Sequence, residues 1–437
     1  MTMANKLRFP PLGPSKDVSD YPLFTSGVSR WMWRIYAQRL TPAGRWFALA
    51  TAVFSMYGGI SLELQGYMPA GYTAVIWTIA AAAMLLYRPR VTLVCRSPDR
   101  VCAGQTIDCD VEIQQLRRFG GADLVVLPHR LPISIDGVPE DGVVLPDLER
   151  GERTRTRVGL RCLARGQFTL RGFRVESGFP FGILRAWRTF PMQQKLLVYP
   201  KFFSLASLAI PTGRRYQPGG VALVSNLGES FEYLGNREYR QGDNVRDIDW
   251  RATARSDKPI IREWVEEYML RAAVILDTQV PKKLTGRATQ QRRDAFERAV
   301  SVTAAVSDFM ARQDYLVDLF AAGPNLYHLT AGRSLAYLDQ ILDILACVNE
   351  SPTEPMEVIE PQIAELLARL STVICVFLDW TPSRRDFALR LRSEGVAVKA
   401  IICRDGICTL DPAEDASLFG EIPVISAADF DRGISQL

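Results

Sequence analysis

The spacing of apolar residues along the chain changes twice, near residues 90 and 270. Two long apolar runs come first, over residues 46–64 and 67–87. From residue 91 to about 200, apolar and polar residues alternate with a period of two, which predicts short β-strands. After about residue 270, short apolar runs alternate with segments of helical spacing. That pattern predicts a mostly parallel sheet covered by helices.

The two apolar runs predict a transmembrane helical hairpin over residues 45–88. About 20 apolar residues cross a bilayer as a helix. The run over residues 67–87 has that length, and Glu63 marks the end of the shorter first run. Arginines precede the first run and follow the second, whereas the connector "ELQG" has no Lys or Arg. The positive-inside rule then predicts a two-pass protein in contact with the lipid of the inner (cytoplasmic) membrane, with both termini and the soluble domains cytoplasmic. A buried helical hairpin in a soluble domain is the alternative.

The other segments follow from this division. Residues 1–44 form a cytoplasmic N-terminal tail, and residues 91–200 form a β-sandwich-like domain or a small barrel. A connecting segment over residues 201–265 leads to an α/β domain over residues 266–437. The predicted fold class is therefore multi-domain.

Two aspartates, Asp277 and Asp379, each end a predicted strand of the α/β domain. Ligands bind such sheets at the carboxyl ends of their strands. Two carboxylates on neighbouring loops could hold Mg²⁺, or they could cap the helices that follow; we favour capping. The sequence contains no glycine-rich phosphate loop, no G-x-S-x-G motif and no H-E-x-x-H motif.

Composition limits the remaining classes of function. The net charge of +4 over 437 residues is too small to indicate binding to nucleic acid. The eight cysteines include no C-x-x-C pair, and there are only two histidines, so neither a zinc site nor a disulfide framework is indicated. This usage favours free thiols in a reducing compartment.

Charge is concentrated in residues 237–264, which carry seven basic and six acidic residues. Catalysis by the aspartates, a domain junction and a docking surface are three interpretations, and we favour the last two because no histidine or nucleophile accompanies the acids. In the junction interpretation, Trp250 and Trp264 are buried, and Arg246 and Arg251 pair with the aspartates. Arg240 is the better docking residue. The candidate interaction or junction residues are Arg237, Glu238, Tyr239, Arg240, Gly242, Asp243, Arg246, Asp247, Asp249, Trp250, Arg251 and Arg255.

The same stretch resembles a known family. "REYRQGDNVRDIDWRATAR" followed by "IIREWVEE" resembles the signature of domain-of-unknown-function family 58, and the Pro180-Phe181-Gly182 turn is similar to another of its motifs. The resemblance implies a last domain of von Willebrand factor type A-like (Rossmann-like) character and a MoxR-type AAA+ ATPase as partner. The metal-binding pattern of true type A domains, Asp-x-Ser-x-Ser, is replaced here by residues 277–281, "DTQVP". The resemblance therefore carries over no metal, and Asp277 and Asp379 stay weak candidates.

These observations predict a non-enzymatic, membrane-anchored scaffold or adaptor that works with a cytoplasmic MoxR-type AAA+ ATPase in assembly or maturation of protein complexes. No catalytic residue and no cofactor is assigned. One alternative is a membrane-tethered, metal-dependent hydrolase that uses Asp277 and Asp379 with Mg²⁺. Another is a structural membrane protein that assembles into a homo-oligomer.

Overall fold

The computed structural model describes most of the chain in two compact units, which divide after Lys201. The predicted N-terminal tail lies outside the described residues as far as residue 38. The described residues are 39–61, 64–117, 121–211, 231–240, 243, 245–266, 271–281, 286–313, 315–322, 326–330 and 335–437.

The first unit begins with two helices, α1 (Pro42–Ser61) and α2 (Leu64–Leu86). Thr41 starts α1 as its N-cap, because its Oγ1 accepts a hydrogen bond from the Gly44 N–H at 2.9 Å. The helices contact each other through Trp77, whose Nε1 donates to Thr51 Oγ1 at 3.1 Å. The Trp77 ring also lies 5.6 Å from that of Phe47.

Among the described residues, one helix, Gln65–Leu86, is long and apolar enough to cross a bilayer. Helix α1 is less apolar, since it contains Arg45 and several Gly, Ser, Thr and Tyr residues. Large apolar side chains on both helices are exposed, as Ile60 at 73% and Leu85 at 70% illustrate. These features agree with membrane association, and the two-pass topology stays a prediction.

The alternating segments predicted between residues 91 and 200 form two sheets around one apolar core. One sheet has the strand order β1-β3-β7-β5 and the other β2-β9-β8-β4-β6. Buried side chains from both sheets, among them Val111, Val158, Phe173 and Leu196, belong to a single cluster. The strands are β1 (Val91–Arg96), β2 (Arg100–Cys102), β3 (Thr106–Gln115), β4 (Leu124–Pro128), β5 (Ile135–Val138), β6 (Val143–Val144), β7 (Arg153–Cys162), β8 (Gly166–Ser177) and β9 (Ala186–Tyr199).

The second unit contains a two-stranded ribbon and a six-stranded sheet. The ribbon pairs β10 (Phe231–Glu238) with β11 (Ile260–Glu266), antiparallel, and a short helix α3 (Trp250–Thr253) lies between them in sequence. The large sheet consists of β12 (Arg271–Leu276), β13 (Leu316–Ala322), β14 (Leu326–Thr330), β15 (Thr372–Phe377), β16 (Ala397–Cys403) and β17 (Val424–Ile425).

The order of the large sheet is β14-β13-β12-β15-β16-β17, with all pairs parallel except that of β13 with β14. Helices cover both faces, which explains why its strands are apolar on both sides. One face packs on α6 (Pro355–Ala364) and α7 (Pro382–Ser393). The other carries α4 (Arg287–Arg312), which crosses four strands, beside α5 (Leu335–Cys347). Two short helices, α8 (Ala416–Phe419) and α9 (Ala427–Arg432), complete the unit.

The first residues of the second unit contact the last residues of the chain. The Ala206 N–H donates to the Ser435 carbonyl at 2.8 Å, and the ring of Phe203 lies 5.4 Å from that of Phe430. Thr372 Oγ1, at the start of β15, donates to the Pro211 carbonyl at 3.1 Å. The multi-domain, sheet-rich organisation predicted from the sequence is therefore confirmed.

Gly44 should tolerate no side chain, because a Cβ built there would lie 2.0 Å from the Ile183 carbonyl oxygen. Gly44→Ala should lower the free energy of unfolding by about 1–3 kcal/mol, as overpacking does. Gly59→Ala is the matched control in the same helix, with no atom within 4 Å of its built Cβ, and it should stabilise by up to about 1 kcal/mol. Thermal unfolding of the full chain in detergent measures both, and equal shifts would contradict this packing.

Candidate functional site

The charged stretch predicted as a site is built on the β10–β11 ribbon. The chain leaves β10 at Glu238, passes a 3₁₀ turn over Val245–Asp247 and returns through α3 to β11. The Tyr239 N–H donates to the Pro259 carbonyl at 2.9 Å and so extends the ribbon by one bond. Gly242 and the side chain of Trp264 lie outside the described residues.

Asp243 closes the loop that follows β10. Arg237 donates to it with both guanidinium nitrogens, Nη1 to Oδ2 at 2.6 Å and Nη2 to Oδ1 at 2.9 Å. The Arg240 N–H donates to the same carboxylate at 2.8 Å. The hydrogen bond from Arg237, followed by that from the Arg240 N–H, lowers the pKa of Asp243 to about 2. Its oxygens are therefore engaged in holding the loop.

Asp249 fixes α3 to the ribbon. Its Oδ1 accepts from the N–H groups of Arg251 and Ala252, both at 3.0 Å, as an N-cap does. Its Oδ2 accepts from Arg262 Nε of β11 at 3.2 Å. The hydrogen bond from the Ala252 N–H, followed by that from Arg262, holds the pKa of Asp249 below its usual range. Asp243 and Asp249 thus act on the fold of the stretch, and Asp247 stands at the end of the 3₁₀ turn.

The prediction that Trp250 is buried is wrong: its side chain is 68% exposed. The alternation of Ile248 and Trp250 with charges suits a strand or the start of a helix, and it led to the prediction that Trp250 faces inward. Asp249 starts a helix and Trp250 is its first residue, so strand alternation does not set the direction of its side chain. Ile261 on β11 is the buried side chain here, at 4% exposure.

The predicted pairing of Arg251 with the aspartates needs correction. Arg251 is exposed, and the ion pairs of Asp243 and Asp249 come from Arg237 and Arg262 on the ribbon strands. Arg246 is also exposed. Arginines on a paired strand hold a fixed position opposite the loop, which Arg251 on the short helix does not.

Several exposed side chains remain in the segment that contains Trp250. Arg240, Arg251 and Arg255 are exposed, and none forms an ion pair with a described residue. Val245 adds an apolar side chain that is 59% exposed. Glu238 pairs with Lys258 at 2.9 Å, so this acid already has a basic partner. We call Trp250, Val245, Arg240, Arg251 and Arg255 the Trp250 patch.

The second candidate site lies where β12 and β15, neighbours in the sheet, reach their carboxyl ends. Asp277 follows β12 and is completely buried. Its Oδ2 accepts from Arg384 Nε at 2.7 Å and from the Leu378 N–H at 3.0 Å, and its Oδ1 accepts from the Gln279 N–H at 2.9 Å. Burial opposes ionisation, but the charge of Arg384 and these hydrogen bonds outweigh it, so the pKa of Asp277 lies below its usual range.

Arg384 itself is 2% exposed and fully engaged. Its Nη2 donates to Gln279 Oε1 at 2.8 Å and its Nη1 to Thr381 Oγ1 at 3.0 Å. Burial alone would lower the pKa of Arg384, but the carboxylate of Asp277 raises it above its ordinary value. The pair is therefore ionised and joins the loop after β12 to α7.

Asp379, after β15, has a similar environment. It accepts from the N–H and Oγ1 of Thr409 at 3.1 and 2.8 Å, and Arg404 forms an ion pair with it. Arg292 from α4 lies 4.0 Å away, and burial lowers the pKa of that guanidinium. Neither Asp379 nor Asp277 caps a helix: the residues before α4 and α7 are Gly286 and Thr381. The capping prediction is therefore wrong, and both carboxylates cross-link strand-end loops.

This donor set does not fit a divalent cation. Mg²⁺ needs about six oxygens in octahedral array, whereas both oxygens of Asp277 already accept hydrogen bonds and three guanidinium groups surround the two aspartates. Among the described residues, no group of three His, Cys, Asp or Glu side chains is placed to hold a metal.

Sequence reasoning missed the arginines of this cluster. One signal was present: Arg384 lies in the first turn of α7, which starts at Pro382. A cation there is unfavourable next to the positive end of the helix dipole. A basic residue in that place indicates a nearby carboxylate that compensates for it.

Arg237→Ala should loosen the loop of the ribbon, because it removes two hydrogen bonds to Asp243. Amide exchange of Arg240 and Asp243 should become faster, while Arg240→Ala should leave it unchanged. Folding lowers the pKa of Asp243 from 3.8 to about 2, so the contrast should be complete above the higher value and disappear as the pH falls through the lower one. Identical exchange in both variants would show that the pair does not hold the loop.

Arg384→Ala should lower the free energy of unfolding by about 3–5 kcal/mol, because it leaves the buried Asp277 carboxylate unpaired. The control is Arg390→Ala on the same helix, which breaks an exposed pair with Glu360 and should cost about 0–1 kcal/mol. Thermal or urea unfolding of the full chain measures the difference, and comparable losses would refute a structural role for Arg384.

Comparison with known proteins supports the resemblance noted from the signature. Residues 235–387 match the family described as "Protein of unknown function DUF58". The "Uncharacterized protein YeaD" of Bacillus subtilis (strain 168) is 24% identical over 288 residues, which cover 63% of this chain and 66% of that protein. The chain thus spans just under two thirds of that relative.

A solved structure, the CARDB domain of a Pyrococcus furiosus protein in complex with di-metal ions, aligns with 26% of this chain and 94% of its own at 12% identity. Its TM-score of 0.15 is too low to define a shared fold. Residues 235–387, which contain the signature and part of the α/β layer, are therefore similar to a family that is described as of unknown function.

Proposed function

We propose that the chain is a non-enzymatic, membrane-anchored adaptor that docks a cytoplasmic MoxR-type AAA+ ATPase through the Trp250 patch. The observation that carries the proposal is Trp250, a large aromatic side chain held in the open on a capped helix. Tryptophan and arginine are the residues most enriched at the energetic centres of protein interfaces. The patch supplies both.

The chemistry of the patch defines the surface it fits. Three exposed arginines without an ion pair to any described residue lie in the same segment between β10 and β11 as Trp250, so an acidic rim with an apolar pocket is complementary. The ribbon holds the patch rigidly through Asp243 and Asp249, which lowers the entropy lost on binding. The identity of the partner as an ATPase comes from the family resemblance alone.

The membrane anchor is the second part of the proposal. We infer that α1 and α2 cross the inner membrane as a two-pass hairpin, with both termini in the cytoplasm. Support comes from the length of α2, from the exposed apolar side chains of both helices and from the arginines that flank them. Such an anchor would keep the adaptor at the membrane where its clients are assembled.

The α/β unit is proposed to be a von Willebrand factor type A-like domain that acts without a metal. The parallel sheet with one antiparallel edge strand and helices on both faces supports the likeness. The ion pair of Asp277 with Arg384 favours an adaptor over a metal-dependent hydrolase, because it occupies the carboxylate that such an enzyme would need.

Binding of the full chain to a MoxR-type ATPase from the same organism tests the docking proposal. Trp250→Ala should weaken binding at least about tenfold, as loss of an interface anchor does. Arg251→Glu should weaken it in low salt and less so near 1 M salt, where the Debye length falls to about 3 Å.

The matched control is Arg150→Glu, a charge reversal at an exposed arginine of the first unit. It should bind as the unchanged protein does. Melting temperatures should stay the same for all three variants, since Trp250, Arg251 and Arg150 are exposed. Unchanged affinity in Trp250→Ala would eliminate the Trp250 patch as the docking surface.

A further inference from the structure

The turn that contains the Pro180-Phe181-Gly182 motif holds the start of α1. The Thr41 N–H donates to the Ile183 carbonyl at 3.1 Å, and the Arg185 N–H donates to the Arg39 carbonyl at 2.8 Å. An isolated bridge pairs Leu40 with Leu184. The loop over residues 178–185 thus extends a short ladder to the chain that leads into α1.

The same loop contacts the end of α2. The ring of Tyr87, the residue after α2, lies 4.6 Å from that of Phe179. The two helices therefore start and end at one place on the β-domain. We call this place, residues 178–185 with Arg39–Thr41 and Tyr87–Arg88, the collar.

The collar exposes aromatic and basic groups beside the apolar helices. Phe181 is 49% exposed within the loop, and Trp46 is 68% exposed in the first turns of α1. The Arg39 guanidinium carbon lies 3.9 Å from the centre of the Trp187 ring, and Arg88 is exposed. Burial, and then repulsion by the charge of Arg88, lower the pKa of Arg39.

Acids beside the collar have other partners, since Asp123 Oδ2 accepts a hydrogen bond from the Gly178 N–H at 3.1 Å. Glu176 is buried and pairs with Arg185 at 3.0 Å and with Arg174. Neither Arg39 nor Arg88 forms an ion pair with a described residue. An anion from outside the chain would relieve their repulsion.

We propose that the collar lies in the headgroup layer of the membrane, with Phe181 at the boundary of the acyl chains and with Arg39 and Arg88 binding the phosphate of an anionic phospholipid. The inference rests on the proposed membrane anchor and specifies its contact with lipid. Aromatic rings and arginines are the residues that concentrate at this depth. A lipid fits better than a protein partner because the surface is continuous with the exposed apolar sides of α1 and α2.

Photocrosslinking from position 181 tests the depth of the loop. A benzoylphenylalanine replaces Phe181 in the full chain, reconstituted in vesicles of phosphatidylcholine and phosphatidylglycerol. It should crosslink to phospholipid. The control carries the same group in place of Ile133, an apolar loop residue of the same unit that is 96% exposed, and should not. Equal lipid labelling from both positions, no lipid adduct at 181, or an adduct to protein instead would overturn the proposal.

Lipid preference tests the arginines. The ratio of phosphatidylglycerol to phosphatidylcholine that copurifies with the full chain should fall about fivefold in Arg39→Gln and in Arg88→Gln, since each basic residue near a membrane contributes about that factor. Arg150→Gln should leave the ratio unchanged. A ratio unaffected in both collar variants would refute the headgroup site.

Alkaline carbonate extraction distinguishes failure of the collar from failure of the proposed membrane anchor on which it rests. A chain that stays in the membrane pellet but gives no lipid adduct at position 181 refutes the collar alone. A chain released by carbonate refutes the anchor, and the collar with it. Retention, with the expected adduct and lipid ratios, supports both.

Discussion

The ion pair between Asp277 and Arg384 is the interaction on which the α/β unit depends. It lies between β12 and β15, where the order of the sheet reverses direction and where open α/β sheets place their ligands. A buried carboxylate is costly unless it is paired and hydrogen-bonded. Here the backbone N–H groups of Leu378 and Gln279 complete its shell. Arg384 therefore provides the positive charge that pairs with Asp277 at the position where such sheets bind a ligand.

Carboxylates in the signature also stabilise the local fold by pairing with arginines. Asp243 and Asp249 each join a loop to a ribbon strand through an arginine and backbone N–H groups. In both regions, the aspartates that were candidate site residues in the sequence form ion pairs and hydrogen bonds within the protein. The side chains left exposed include Trp250 and its neighbouring arginines. In the docking proposal, the paired charges of the signature serve to display this aromatic side chain to a partner.

Periodicity was enough to predict the layers of this protein. Two-residue alternation gave the strands of the first unit, and the apolar runs of β12, β15 and β16 gave a sheet covered on both faces. It failed where one residue changed the type of element. Asp249 begins a helix, so Trp250 is exposed although its neighbours alternate as in a strand. Pairings such as Asp277 with Arg384, 107 residues apart, cannot be read from local spacing because tertiary contact alone selects the partner.

The attachment of the two helices to the β-domain has a consequence for synthesis of the chain. Thr41 binds a carbonyl group 141 residues further along. When the ribosome has finished α2, the loop that joins the two helix ends does not yet exist. Both helices are therefore complete before the loop that contacts their ends is made, and the folding of a domain made later fixes the position of segments made earlier. At this place, residues synthesised later hold residues synthesised earlier.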